Sequence, residues 1–191
     1  MVLQPDLFAL DAPDAPGPAG LVMVSEAVDA VEEAALAERI DAAHLEPFRF
    51  GQWQGKRLTA SFGSAYDYQR GRVTEAPPMP GWLLGLRERL AGLVGMEAGA
   101  LSQALLIRYD PGAGIGWHRD RPQFDEVLGL SLSAPAVLRL RRRVEGGFER
   151  HSVPLARGSL YRLSGEVRTE WEHSIAPLEQ TRRSITFRTL R

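Results

Sequence analysis

One short run in the second half of the chain constrains its chemistry more than any other, and it ends in Trp117-His118-Arg119-Asp120. Side chains alternate between the two faces of a β-strand, so on a strand end His118 and Asp120 project from one face while Arg119 points away. Histidine and aspartate are both common metal ligands in proteins. A lone His-x-Asp pattern is weak, because an isolated pair is more often structural than a metal site.

A metal site needs a further ligand, and the choice is narrow because the sequence has no cysteine and only four histidines. His44 lies at a predicted helix end and His151 begins a strand far from the motif, whereas His173 follows an aromatic in a later β-like segment. Two histidines and one carboxylate form the set that non-haem Fe(II) oxygenases use, with positions left for a co-substrate and O2. The sequence therefore predicts His118, Asp120 and His173 as iron ligands.

A basic strand near the end of the chain supports this interpretation. Arg182 and Arg188 have the same parity and share one face of the predicted strand, while Ile185 and Phe187 take the other. The apolar face belongs to a core, so the two arginines point into a place that needs their charge. A dicarboxylate such as 2-oxoglutarate supplies counter-charges that pair with guanidinium groups bidentately.

Several motifs in residues 100 to 191 resemble, in order and spacing, the AlkB family of Fe(II)/2-oxoglutarate dioxygenases, which repair alkylated nucleobases. Residues 1 to 90 match that family only in outline. The matching pieces are Arg108-Tyr109-Asp110-Pro111-Gly112, His118-x-Asp120, Ser131-Leu132-Ser133, Ser164-Gly165-Glu166-x-Arg168, His173-Ser174-Ile175 and Arg182 to Arg188.

The resemblance implies an activity and a set of cofactors. It implies Fe(II), 2-oxoglutarate and O2, with the co-substrate bound by Tyr109, Arg182, Ser184 and Arg188. Hydroxylation of an N-methyl group on a base gives a hydroxymethyl product that collapses, and the reaction releases formaldehyde, succinate and CO2. The implied role is demethylation of alkylated nucleic acid in DNA repair.

Three positions depart from the family pattern. Ile107 stands where the family has an asparagine two residues before the tyrosine, and Ser184 replaces a second asparagine. An acidic residue that DNA-repair members often carry shortly after the His-x-Asp motif is replaced near Pro122. The first two changes affect co-substrate binding, and the third affects base preference.

The length and apolar content of the chain limit the class of protein to which it can belong. A chain of 191 residues with 44% apolar residues is typical of one soluble domain, which we place at residues 21–191. No apolar run approaches the roughly 20 residues of a membrane span, so we expect a cytoplasmic monomer.

The N-terminal residues 1–20 are expected to form a flexible acidic tail, because residues 9–20 contain turn formers, acids and small residues. Residues 1–47 carry ten acids against Arg39 alone, whereas residues 48–191 have an excess of cations that can attract a polyanion. Gln4-Pro5-Asp6-Leu7-Phe8 resembles the bacterial sliding-clamp-binding pentapeptide, with Pro5 in place of the usual leucine. A chance match of five residues is the alternative.

The predicted fold is mainly β with flanking helices, a double-stranded β-helix or jelly roll, with its core at residues 104–191. One helix is expected from about residue 30 to 42, with Val31, Ala35, Leu36 and Ile40 on its apolar face, and another from 81 or 82 to about 94. Strands are expected near 21–24, 104–109, 127–133, 136–143, 151–155, 159–164, 169–174 and 183–189.

Residues 48–72 interleave aromatics with cations, and in the resembled family this region is a lid over the nucleotide. Tyr66 and Tyr68 are the candidates for contact with a flipped base, although most such aromatics in proteins belong to a core. The arginines proposed to contact the substrate are Arg139, Arg141, Arg143 and Arg168. The first three share one strand face, which suits phosphates or, alternatively, a solvated sheet edge.

Single-stranded DNA or RNA with an alkylated base is thus the expected partner. Two alternatives stay open at this point. The same chemistry can act on a protein or a small molecule, or the chain can be a non-catalytic jelly-roll binding module.

Overall fold

The computed structural model describes residues 17–50 and 53–191 of the chain. The predicted clamp-binding segment Gln4–Phe8 and most of the acidic tail lie outside these residues, so both stay predictions. Within the described part, the helices are too short or too polar to cross a membrane.

Strands dominate the described residues. The strands are β1 (Leu21–Val24), β2 (Glu46–Phe50), β3 (Trp53–Phe62), β4 (Ser64–Asp67), β5 (Arg72–Glu75), β6 (Leu101–Tyr109), β7 (Ile115–His118), β8 (Phe124–Leu132), β9 (Ala136–Val144), β10 (Gly147–Leu155), β11 (Leu160–Leu163), β12 (Glu172–Ile175) and β13 (Arg182–Leu190). The helices are α1 (Ala30–Ala42), α2 (Gly81–Leu93) and α3 (Gly165–Thr169), with a 3-10 turn at Ala98–Ala100.

The strands form two facing sheets and a small hairpin. One sheet has the order β1-β11-β8-β13-β6-β3-β2, the second has the order β10-β9-β12-β7, and β4 pairs with β5. The pairings are antiparallel, and neighbours such as β8 and β13 are distant in sequence, as a jelly roll requires. The predicted mainly-β jelly-roll class is confirmed.

Two apolar clusters hold these layers together. One lies where α1 and α2 pack on the seven-stranded sheet, and it includes Ile40, Leu90 and Phe187. The other lies between the two sheets and includes Leu138 and Trp171. The sheets therefore enclose a space that is polar only where their facing strands carry the site residues.

Helix α1 is the predicted element, but its predicted apolar face is only partly buried. Asp29 caps the helix by accepting a hydrogen bond from the Glu32 N–H at 2.8 Å, and Leu36 and Ile40 are buried as predicted. Val31 and Ala35, also predicted on the apolar face, are exposed, Val31 to 81%, whereas Glu33 is buried. Glu33 is tolerated there because it accepts hydrogen bonds from the Arg157 guanidinium and the Ser133 N–H.

Two predicted boundaries change near the site. Residues 165–169 form helix α3, so β12 begins at Glu172 rather than at residue 169. The His-x-Asp motif spans a strand end: His118 is the last residue of β7, and Asp120 follows it.

Candidate metal centre and substrate cavity

Two adjacent strands of the four-stranded sheet bring the predicted ligands together. His118 on β7 lies directly opposite His173 on β12, with their ring centroids 4.2 Å apart. Asp120 follows β7, and the ligand atoms of these three residues lie within 4.8 Å of one another. His173, more than 50 positions from the other two residues in the sequence, thus joins His118 and Asp120 in one cluster.

Hydrogen bonds orient the His118 ring. Its Nδ1–H donates to the Gly116 carbonyl at 2.8 Å, which leaves the Nε2 lone pair available to a metal. Metal-binding histidines in proteins generally use such an outer hydrogen bond to fix the tautomer and ring orientation.

The two oxygens of the Asp120 carboxylate have different surroundings. Oδ1 accepts a hydrogen bond from the Arg188 guanidinium at 3.0 Å. Oδ2 is buried, has no hydrogen-bond partner among the described residues and lies 3.9 Å from His173 Nε2. A buried carboxylate oxygen without a donor is costly unless a cation binds it, so the cluster fits a divalent metal.

Burial and charge set the protonation states of the cluster. Burial raises the pKa of the Asp120 carboxyl, but the charge of Arg188 and those of the two histidines outweigh it and hold the pKa well below its usual range. Burial, followed by the neighbouring His118, lowers the pKa of His173 to about 3. Burial also lowers the pKa of His118. At neutral pH the cluster therefore has one anionic and two neutral ligands, the forms that bind metal.

The depressed pKa of His173 predicts that metal-free protein loses stability in mild acid. The unfolded chain protonates this histidine near its ordinary pKa of about 6.5, whereas the folded protein does so only near pH 3. The unfolded state binds more protons between these values, so the free energy of unfolding falls as the pH decreases through that window.

Thermal unfolding of metal-free protein from about pH 7 to about pH 4 measures this effect. The Tm of the His173→Gln variant, which lacks this titrating group, should fall less steeply than that of the wild type. Equal slopes would contradict the assignment.

The metal cluster opens into a cavity of about 1140 Å³ between the sheets. Its polar lining includes Gln103, Tyr109, His118, Asp120, Tyr161, His173, Thr186 and Arg188, which come from five strands and the segment after β7. This volume suits a co-substrate together with part of a larger substrate.

The predicted co-substrate residues lie on neighbouring strands. Tyr109 on β6 pairs in register with Arg182 on β13 and lines the cavity. Arg182 is 1% exposed; it donates to Ser131 Oγ at 3.1 and 3.3 Å and lies over the Tyr109 ring. Ser184 is also buried and lies between Ile107 and Ser131 in the sheet. These positions are consistent with the predicted site. Seen from the cavity, however, Arg182 lies behind the Tyr109 ring.

Arg188 has two protein partners. Its guanidinium donates to Gln103 Oε1 at 2.9 Å and to Asp120 Oδ1 at 3.0 Å, and the side chain lines the cavity. The sequence predicts a co-substrate carboxylate as its partner, and that contact stays a prediction. Strand parity identifies the face of Arg188 but not the carboxylate that reaches it from another strand.

Arg168 is the site prediction that the structure corrects. It is 5% exposed, belongs to α3 and donates to the backbone carbonyls of Arg121 and Phe124 instead of facing the cavity. It therefore fixes the segment that follows Asp120. No sequence pattern predicts this position, because a five-residue helix has too few residues to show an amphipathic period.

The predicted lid aromatics gather at the cavity mouth. Tyr66 and Tyr68 pack edge to face at 4.9 Å, and Phe48 packs on Tyr68 at 5.3 Å. The Arg57 guanidinium lies 4.0 Å from the Phe48 ring centre, and that of Arg121 lies within 5.3 Å of both tyrosines. We call these five residues the mouth cluster.

The arginines of β9 share the outer face of the four-stranded sheet. The guanidinium groups of Arg139 and Arg141 lie 5.2 and 4.4 Å from the Trp117 ring centre, and that of Arg143 lies over Phe148. Trp117 is also among the residues that line the cavity, so this arginine face adjoins the cavity through Trp117.

Sequence reasoning missed three residues that line the cavity. Gln103 shares its parity with Tyr109 on β6, so strand alternation could have identified it. Trp117 adjoins His118, and its outward face could have been predicted in the same way. Tyr161 lies between predicted core residues, and no pattern in the sequence distinguishes it from them.

The comparison with protein families gives a match to the 2OG-Fe(II) oxygenase superfamily over residues 25–189. The tRNA (carboxymethyluridine(34)-5-O)-methyltransferase ALKBH8 of Mus musculus is 30% identical over 169 residues, which is 84% of this chain and 24% of that protein. The protein of the same name from Xenopus tropicalis is 31% identical over 166 residues, 84% of this chain and 26% of its own length. The chain spans about a quarter of these relatives.

Solved structures show the same fold. OsALKBH1 superposes with a TM-score of 0.65 at 14% identity, covering 89% of this chain and 96% of that one. A prolyl-4-hydroxylase from Pseudomonas putida gives a TM-score of 0.60 at 20% identity, with coverage of 90% and 93%.

Fold, cluster and family match agree, and the chain belongs to the 2OG-Fe(II) oxygenase superfamily, whose members use Fe(II), 2-oxoglutarate and O2. Within that superfamily it is AlkB-like, as its similarity to the ALKBH8 relatives indicates. The predicted family and cofactors are confirmed.

Proposed function

We propose that this oxygenase removes N-methyl groups from bases in single-stranded nucleic acid, as in the repair of alkylation damage. His118, Asp120 and His173 hold Fe(II), and the co-substrate lies toward Tyr109 and Arg182. When bound, Fe(II) with 2-oxoglutarate and O2 supplies the oxidation of a C–H bond. One oxygen atom enters succinate as CO2 leaves, and the other forms the N-hydroxymethyl group. That group releases formaldehyde and restores the N–H.

The mouth cluster is the observation that supports a base as substrate. Its tyrosines line the same cavity as the metal cluster, and Arg57 and Arg121 are stacked against its rings. A base displaced from its strand is commonly held by such aromatic faces, since stacking contributes about 1 to 3 kcal/mol per base. Cations in the same cluster suit the adjacent phosphates.

The relatives support a nucleic-acid substrate but do not distinguish RNA from DNA. The ALKBH8 proteins are named for action on tRNA, and the present chain corresponds to about a quarter of their length. We therefore propose an N-methylated single strand of either kind.

Succinate release in the presence of different substrate classes tests the proposal. The classes are N-methylated single-stranded DNA, the same sequence as RNA, unmethylated strands, and methylated or proline-containing peptides. We expect the methylated strands to stimulate succinate release, with formaldehyde formed in equal amount. Stimulation by a peptide alone would contradict the proposed substrate and leave the oxygenase chemistry intact.

The arginine face predicts how binding depends on salt. If three phosphates contact Arg139, Arg141 and Arg143, replacing all three by glutamine should reduce the slope of log affinity against log salt by about two, since each single-strand contact contributes roughly 0.7. Tyr66→Ala should weaken binding with little change in slope, because stacking releases no counterions.

A matched control lies on the same strand. Arg142 points to the opposite side of β9 and pairs with Glu149 and Glu166, so Arg142→Gln should leave the slope unchanged. Fluorescence anisotropy with a labelled oligonucleotide at several salt concentrations measures all variants. If the triple variant and the control kept the wild-type slope, the phosphate contacts would lie elsewhere.

A further inference from the structure

Tyr161 is the cavity residue for which the proposed function gives no role. It lies on β11, directly opposite Gly129 of β8, and lines the cavity. Its hydroxyl makes no hydrogen bond within residues 17–50 and 53–191. A largely buried tyrosine usually finds a partner for its O–H, so a ligand in the cavity is the natural candidate.

Gly129 makes room for this side chain. A Cβ added at Gly129 would lie 2.2 Å from Tyr161 Cζ and 2.5 Å from its hydroxyl oxygen. Glycine weakens the interior of a strand and often marks a close approach there. The pair Gly129 and Tyr161 thus fixes the phenol ring across β8, toward β13.

The surroundings of the hydroxyl indicate the kind of ligand. Tyr161 lies in the electrostatic field of Arg182, Tyr109, Asp120 and Arg188, and Arg182 exerts the largest of these effects. Arg182 itself is buried, and Ile107 offers no polar atom on that face of β6. Tyr109 and Tyr161 both line the cavity, and the buried positive charge of Arg182 lies against the Tyr109 ring, so hydroxyl donors and a cation are available to a carboxylate there. Burial raises the pKa of Tyr161 to about 12, so the phenol keeps its proton and acts as a donor.

We propose that the Tyr161 hydroxyl donates a hydrogen bond to the carboxylate of 2-oxoglutarate that is remote from the metal, beside Tyr109 and in front of Arg182. Tyr161 is then a co-substrate-positioning residue, held in place by the glycine opposite it. The inference rests on the proposed location of the co-substrate and not on the identity of the substrate.

Calorimetric titration of 2-oxoglutarate into Fe(II)-loaded protein, without oxygen, tests the inference without turnover. Tyr161→Phe keeps the ring and removes the donor, so 2-oxoglutarate should bind about ten- to a hundredfold more weakly, the range for a hydrogen bond to a charged group. The Tm and the Fe(II) affinity should not change. In steady state the KM for 2-oxoglutarate should rise, with kcat preserved at saturation.

A second ligand separates positioning from a general structural effect. 2-Oxobutyrate keeps the 2-oxo acid but lacks the remote carboxylate, so Tyr161→Phe should leave its affinity unchanged. An equal loss for both ligands would overturn the inference.

Glycine variants test the same contact from the opposite strand. Gly129→Ala should displace the phenol and weaken 2-oxoglutarate binding, whereas Gly147→Ala has open space around the added methyl and should not. If the wild type binds 2-oxoglutarate and Tyr161→Phe binds it equally well, the inference fails while the oxygenase assignment stands. If the wild type binds none, the proposed co-substrate site fails as well.

Discussion

Replacing Asp120 by alanine should abolish both Fe(II) binding and turnover. Asp120 Oδ2 is the oxygen in the cluster that lacks a hydrogen-bond partner, and it lies 3.9 Å from His173 Nε2. Loss of the carboxylate leaves two neutral imidazoles and no anion. The affinity loss should exceed the roughly 10–100-fold that removal of an outer partner of a metal ligand costs.

A second variant distinguishes loss of Fe(II) binding from loss of folding. Asp120→Asn keeps the shape and an acceptor for Arg188 but removes the charge, so it should fold like the wild type and still bind Fe(II) much more weakly. Asp125→Ala removes an exposed carboxylate that pairs with Arg191 and should change neither property. Metal content by mass spectrometry and Tm measure both effects. Wild-type metal content in the Asp120 variants would exclude this aspartate as a ligand.

Replacing Arg188 by methionine should destabilise the metal-free protein by about 3 kcal/mol at neutral pH. The side chains of Arg188 and Asp120 are 12% and 9% exposed, so the variant leaves a carboxylate buried without its cation. Fe(II) supplies a positive charge at the same carboxylate, so the loss should be smaller in metal-loaded protein.

The pH dependence of this loss has a definite sign. The pKa of Asp120 is depressed in the folded protein, so its contribution to stability is present above the unfolded pKa of about 3.9 and is lost as the pH falls below it. The gap between the wild type and Arg188→Met should therefore narrow in acid.

Chemical denaturation at neutral pH and near pH 3 measures this gap. The double variant Arg188→Met, Asp120→Asn should recover part of the stability, because no charge is then left unpaired. An Arg188→Met protein as stable as the wild type at neutral pH would show that the Arg188–Asp120 pair contributes nothing to the free energy of unfolding.

The structure brings together the three residues that the sequence pattern singles out, because their spacing reflects local geometry. His-x-Asp fixes two ligands within one strand end, and the shortage of histidines leaves His173 as the third. The same local reasoning identified α1 and most strand positions, since alternation and helical periods are short-range signals.

Local sequence patterns do not predict which side chains meet when strands that are distant in the sequence pair. Arg188 was placed on the correct face, but its pairing with Asp120 depends on where β7 ends against β13. Arg168 was assigned to the substrate because the short helix α3 was not visible. Tyr161 and Gly129 are neighbours only through the pairing of β11 with β8, which no local feature of either segment specifies.

The mass of an N-methylated single-stranded oligonucleotide after incubation with Fe(II), 2-oxoglutarate, O2 and the protein tests the central claim most directly. The account predicts loss of one methylene unit per modified base, with equal amounts of formaldehyde and succinate, and no loss with Asp120→Asn. An unchanged oligonucleotide mass, from wild-type protein that binds Fe(II) and 2-oxoglutarate, would contradict the claim that an alkylated base is the substrate.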